Sequence, residues 1–184
     1  MSNITVTGLA DLQKMLDTLP AKVEANIMRG ALRNGIKQIK DAAVSACPVG
    51  PPSPIGRFKY KHYEGALRDS IRISTRIKNG VVSASLKAGG KLKNGADIWY
   101  AHIIEFTGAV PHVIKEKHNF SAMFFGGSFY EKIEHPGMKA KPFLRPALES
   151  RAQDAVVAAG EYIKKRLATK EGLDTADIWI EGES

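Results

Sequence analysis

The residues that first invite a chemical reading are the histidines. His102 and Glu105 stand three apart, and His112, His118 and His135 follow. A zinc site needs converging ligands, and its usual sequence signature supplies two ligands at tight spacing twice over. Here one such pair is present, without a His-Glu-x-x-His motif, so neither a metal nor another cofactor is expected. Cys47 is the single cysteine. It precedes Pro48 at the end of a helical pattern, whereas an activated thiol favours a helix N-terminus or a basic partner. Its expected role is a small apolar residue on a buried face. Gly126-Gly127-Ser128 and Gly89-Gly90-Lys91 lack the Gly-x-x-x-x-Gly-Lys-Ser/Thr spacing of a phosphate loop. No Gly-x-Ser-x-Gly or Ser-x-x-Lys nucleophile motif is present. These residues predict no enzyme.

Basic residues offer a different chemistry. Arg57, Phe58, Lys59, Tyr60, Lys61, His62 and Tyr63 place basic and aromatic side chains in one short run. In a single-strand binder, cations hold phosphates while rings stack on bases. The same pattern also describes an irregular segment whose rings pack inward while its charges stay in water. Lys87, Lys91 and Lys93 mark a second basic stretch, through Asn94. Both stretches are candidates for contact with a partner protein or with DNA.

The elements that must carry these residues follow from periodicity. Ile4 to Thr7 alternates as a short strand. Leu9, Leu12, Leu16 and Leu19 keep helical spacing, and Pro20 suits the start of a new helix. From Ala21 to about Cys47, Val23, Ile27, Ala31, Ile36, Ile39 and Ala43 mark one apolar face. Lys22, Arg29, Arg33, Lys37 and Lys40 lie on the opposite face. Pro48 to Pro54 holds four prolines and a glycine and predicts an extended loop. Gly65 to Ser70 predicts a helical turn into a strand, in which Ile71, Ile73, Thr75 and Ile77 alternate with polar residues. Asn79-Gly80 then suits a two-residue hairpin turn, with Val81 to Leu86 returning as the partner strand. A short helix is expected over Ile98–Phe106, a strand at His112–Ile114 and a turn at His135-Pro136-Gly137. Leu148, Ala152, Ala155, Val156, Ala159, Ile163 and Leu167 mark a second long helix that Gly172 can end.

Composition bounds the class. The chain has 184 residues, 43% of them hydrophobic, which suits one domain with a real core. It has no apolar run long enough to span a membrane, and Met1 to Thr5 shows no secretory pattern. The formal charge is +8, but residues 171–184 carry five acids and no base, which leaves the remainder at +13. So strong a field draws nucleic acid, an acidic protein surface or the chain's own acidic end. The expected fold class is α+β, with two long amphipathic helices on a small, mainly antiparallel sheet. The expected boundaries are a domain over residues 1–170 and a flexible acidic tail over 171–184.

Three segments in order carry a family resemblance. They are Gly65-Ala66-Leu67-Arg68-Asp69-Ser70-Ile71, Tyr100-Ala101-His102-Ile103-Ile104-Glu105-Phe106-Thr107-Gly108, and His135-Pro136-Gly137 followed by Lys141-Pro142-Phe143-Leu144-Arg145-Pro146-Ala147-Leu148. Together they resemble the neck and minor-tail proteins of long-tailed phages and prophages, the gene-product-ten-like family of lambdoid phages. The minor tail protein Z group and the virion morphogenesis proteins of Mu-like phages are related families. The resemblance spans roughly residues 9–168, and the proline-rich third segment is its most specific part. Glu105-Phe106-Thr107-Gly108 exchanges the last two residues of a family pattern written Glu-Phe-Gly-Thr, and the acidic end lies outside the pattern.

The resemblance implies a structural virion protein of the head–tail junction or tail completion, made in the host cytoplasm and assembled by ring formation. A hexamer would match the sixfold symmetry of a tail tube. Its neighbours would be copies of itself and adjacent neck or tail proteins, with non-specific DNA contact as a further expectation. Read as physics, Pro142 and Pro146 set the backbone where a loop becomes a helix, and Phe143 and Leu144 plug the core. Arg145 is positioned in sequence to pair with Glu105 or Glu149. The alternative function is a basic nucleic-acid-binding module of a mobile element.

Overall fold

The computed structural model describes residues 6–50, 63–115 and 128–180, and the backbone alone of 123–125. The basic-aromatic run at Arg57–His62, His118 and the first half of the Ile4–Thr7 strand lie outside the described residues. The fold class is α+β, and two long helices pack against each other and against a small antiparallel sheet. The chain forms two compact units, residues 1–99 with 143–184, and residues 100–142.

In the first unit, α1 (Leu9–Asp17) and α2 (Ala21–Ala46) flank Pro20, which caps the second helix rather than entering it. Proline fits there because its fixed φ and missing N–H cost nothing before the first helical hydrogen bond. α2 buries Ile27, Ala31, Gly35, Ile39 and Ala43. This one-per-turn spacing is the face expected from the sequence. The third helix, α3, is the single turn Ala66–Asp69 and buries Ala66 and Leu67.

β1 (Arg72–Lys78) and β2 (Val81–Lys87) form the expected antiparallel hairpin, paired from Arg72↔Lys87 to Lys78↔Val81. Asn79 and Gly80 both take positive φ, 50° and 77°, as a type I′ turn requires. Ile73 pairs with Leu86, and Thr75 with Ala84, so the half-buried side chains share the face toward α2. The short strands β3 (Gly90–Lys91) and β4 (Asp97–Ile98) pair next.

The last helix, α4 (Leu144–Lys170), follows Phe143, whose ring is fully buried, as expected of a core plug. Pro146 sits in its first turn, and Gly172, at φ 67°, stands just past its end. One expected core position does not hold: Leu148 is 52% exposed, while Ala147 is buried. Where α4 meets Gly35 of α2 it presents the small residues Ala155 and Ala159. Its buried positions are Ala147, Ala155, Gly160, Ile163 and Leu167, small until the last two turns.

Beyond α4 the acidic end departs from the expected flexible tail. Ile178 and Ile180 are buried in the cluster of Leu12, Leu16, Ile27, Ala31, Ile163 and Leu167. Trp179 between them is 72% exposed. This is the alternation of an extended segment, in which every second side chain points inward. Acid-rich composition suggested solvation, but the two isoleucines supply enough apolar surface to hold the segment down.

The expected short helix over Ile98–Phe106 is present in its second part, where residues 101–107 are helical and end in a wide π-helical turn. Ile98 pairs in β4, and Ile103–Thr107 closes with a Gly108 N–H to Ile103 carbonyl bond of 2.7 Å, five residues back. Such π-helical turns are rare and frequently stand at functional sites. Past it, β5 (His112–Lys115) pairs antiparallel with β8 (Lys132–His135), and β6 (Met123–Phe125) with β7 (Ser128–Tyr130).

Candidate assembly surface

The second unit is a β-ribbon with almost no interior. Among its described residues, Ala101 is the one fully buried apolar side chain. Phe106, Val110, Val113, Ile114, Phe129, Tyr130 and Met138 are all exposed, with Phe106 at 64% and Val110 at 77%. Isolated two-stranded ribbons are marginal in water, because they lack a face on which to bury side chains.

The base of this ribbon is where two of the sequence motifs meet. The N–H groups of Ala109 and Met138 each donate to the other residue's carbonyl at 2.8 Å. Gly108 and Gly137 flank that bridge with positive φ, 63° and 79°. A Cβ on Gly108 would fall within 3.0 Å of Met138 and Ala140 backbone, and one on Gly137 within 3.0 Å of Ala109 and Val110 backbone. The two glycines therefore permit a backbone approach that no other residue could make. Lys141 N–H closes the arrangement by donating to the Ile104 carbonyl at 2.8 Å. A shallow depression of about 570 Å³ opens beside the bridge, lined by Thr107, Val110, Pro111, Pro136 and Met138 among others.

Two of the histidines meet here. His112 and His135 are register partners, and their rings stack with centroids 5.0 Å apart. His112 Nδ1 donates to the Val110 carbonyl at 2.9 Å, while His135 Nδ1 accepts from Gly137 N–H at 3.0 Å. Both rings thus brace the chain at the ribbon base. Among the described residues no three His, Cys, Asp or Glu side chains converge as metal ligands.

The other motif residues divide between the units. Glu105 is buried in the wide turn and Phe106 next to it is exposed. Pro142 is exposed before α4 and Arg145 is exposed in its first turn, with Phe143 buried between them. Among the charged candidates, Lys87 ends β2 opposite Arg72, Lys91 of β3 is the register partner of Asp97 in β4, and Lys93 tops the intervening turn. All three are exposed. Arg57, Lys59 and Lys61 lie outside the described residues.

The first motif, Gly65 to Ile71, turns out to be a small buried knot. Ser70 Oγ donates to the Leu67 carbonyl at 2.6 Å and accepts from Gly89 N–H at 2.8 Å. Arg72 reaches the carbonyls of Ser70 and Gly89. In the sequence, only its place among small residues before a strand marks Ser70 for burial. Cys47 is buried as expected, and burial pushes its thiol up to about 11, with the Arg68 charge pulling weakly the other way. Among the described residues no helix is long and apolar enough to cross a membrane. Comparison of the chain with protein-family models, curated proteins and solved structures finds no match.

Proposed function

We propose that this protein is a structural virion component, a head–tail joining or tail-completion protein of a long-tailed phage or prophage. It acts by assembling into a ring, and its work is contact rather than catalysis. One observation carries the reading: a ribbon that exposes Val110, Val113, Ile114 and Met138 while burying almost nothing of its own. Apolar patches of this kind on a folded chain mark surfaces that a partner covers. The phage assignment itself rests on the three-segment resemblance. A head-to-tail interface whose rotation closes would give a ring. Sixfold tail symmetry then suggests six copies, joined above and below by other neck or tail proteins.

Light scattering on the purified chain tests assembly. The expected species is discrete and near six times the 20.0 kDa protomer, and it shrinks when Val110, Val113 and Met138 are changed together to serine. Immunogold labelling of particles from a strain carrying the gene tests the location, with label expected at the head–tail junction. A concentration-independent monomer that is also missing from the particles would overturn the proposal.

A further inference from the structure

α2 carries a row of cations that the folded chain leaves open to solvent. Lys22, Arg29, Arg33 and Lys37 are exposed, Lys40 is half-buried, and the exposed amide of Asn26 fills the gap in the row. At 3.6 residues per turn these six positions fall within a sector of about 80°, one per turn, over about 27 Å of helix axis. The other flanks of α2 are taken. Asn34 Nδ2 donates to the Ala158 carbonyl of α4 at 3.0 Å, Gly30 sits under Tyr162, and β1 and β2 pack on a further side. Of the two acids on the helix, Glu24 falls on the far side from the row, and Asp41 flanks only its C-terminal end.

This pattern is costly for a face that meets only water. Arg29 and Arg33, Arg33 and Lys37, and Lys37 and Lys40 are like-charge neighbours at four or three residues, which destabilises a helix where alternating signs would support it. Lys22 also opposes the positive end of the helix dipole. Among the described residues, none of the five cations is held in an ion pair. A bound polyanion would relieve the repulsion along the whole row at once.

We propose that this face of α2 binds the phosphate backbone of double-stranded DNA without reading its sequence. The row contains no aromatic side chain on which a base could stack, which disfavours single strands. It presents no exposed apolar residue to form the dry centre of a protein interface, where lysine is depleted. What it offers is a rigid line of permanent charges with two central arginines, whose planar forks suit phosphate oxygens. The row belongs to α2 and not to the ribbon, and salt-dependent DNA binding reads it where particle mass does not.

The test is binding of the full chain to a mixed-sequence duplex of about two helical turns, by fluorescence anisotropy across a salt series. The triple variant Arg29→Ala, Arg33→Ala, Lys37→Ala removes three contacts and keeps good helix formers. Its slope of log K against log salt should be shallower by about 2.7, and its affinity at 0.1 M salt should fall roughly a hundredfold or more. Lys87→Ala, Lys91→Ala, Lys93→Ala removes the same charge elsewhere and should leave the slope nearly unchanged. Circular dichroism confirms that both variants fold. Three outcomes overturn the proposal: an α2 variant with unchanged slope, a loop variant that loses as much, or polyglutamate or single-stranded DNA binding as tightly as the duplex.

Discussion

Gly35 in α2 rests directly against the carbonyl oxygen of Ala155 in α4, so close that a Cβ at Gly35 would come within 3.0 Å of it. The two longest helices meet at a glycine, and the small residues Ala155 and Ala159 complete the contact. Replacing Gly35 by valine forces the helices apart. Overpacking of this kind costs about 1–3 kcal/mol, more than valine recovers in helix propensity over glycine. The melting temperature should therefore drop by several degrees. Gly50→Ala, where nothing lies within 4 Å of the added methyl, should leave it unchanged.

Ser70 ties two segments together through a single buried hydroxyl. In Ser70→Ala the Gly89 N–H loses its acceptor inside the protein, a loss of about 1–3 kcal/mol. Urea titration should show a lower midpoint with the same slope, since the surface exposed on unfolding does not change. A midpoint equal to the parent's would mean that another group takes over as acceptor.

Cys47 should be inert at neutral pH. Its thiol is held up to about 11 by burial, and the thiolate is the nucleophile. Alkylation by iodoacetamide should be slow in the native protein at pH 8 and fast in urea. The raised value also sets a sign. Folding stability from this group is fully present below its ordinary value of 9.0 and declines as pH rises from there through about 11. Cys47→Ala should flatten that part of the stability profile.

The acidic end should matter for stability through two of its residues. Ile178→Ala removes a side chain from the core cluster and should cost about 2–4 kcal/mol. Trp179→Ala removes a larger side chain that is 72% exposed. The loss there is a contact with the Lys164 ammonium 5.7 Å from the ring, about 0.5–1 kcal/mol. Chemical denaturation of the two variants side by side would reverse the order if the segment were loosely held. Deletion after Lys170 would consequently unsettle the fold. A role for the acids themselves is better tested by Asp174→Asn with Asp177→Asn, which leaves the isoleucines in place.

The sequence by itself determined the features whose cause is local. The apolar spacing of Val23 to Ala43 and Pro20 before it define α2, because a helix needs only a continuous face and a permitted start. Asn79-Gly80 defines the hairpin and its register, because few other dipeptides accept two positive φ angles. Gly172 ends α4 for the same reason. Lys22, Arg29, Arg33, Lys37 and Lys40 were visible as one face.

What the tertiary structure decided is which faces found partners. Leu148 and Ala147 are neighbours in the same helix, and only the folded chain buries the small one and leaves the large one exposed. Ile178 and Ile180 carry no periodic signal beyond two residues, and their burial depends on a gap left by α1, α2 and α4. Gly108 and Gly137 read as ordinary turn residues until the chain brings the Ala109–Met138 bridge between them. Ile98–Phe106 divides between a strand end and a helical turn, because a short apolar run does not by itself set where a helix begins. In each case the deciding atom lies far away in sequence, and a reading of local pattern contains no distance to it.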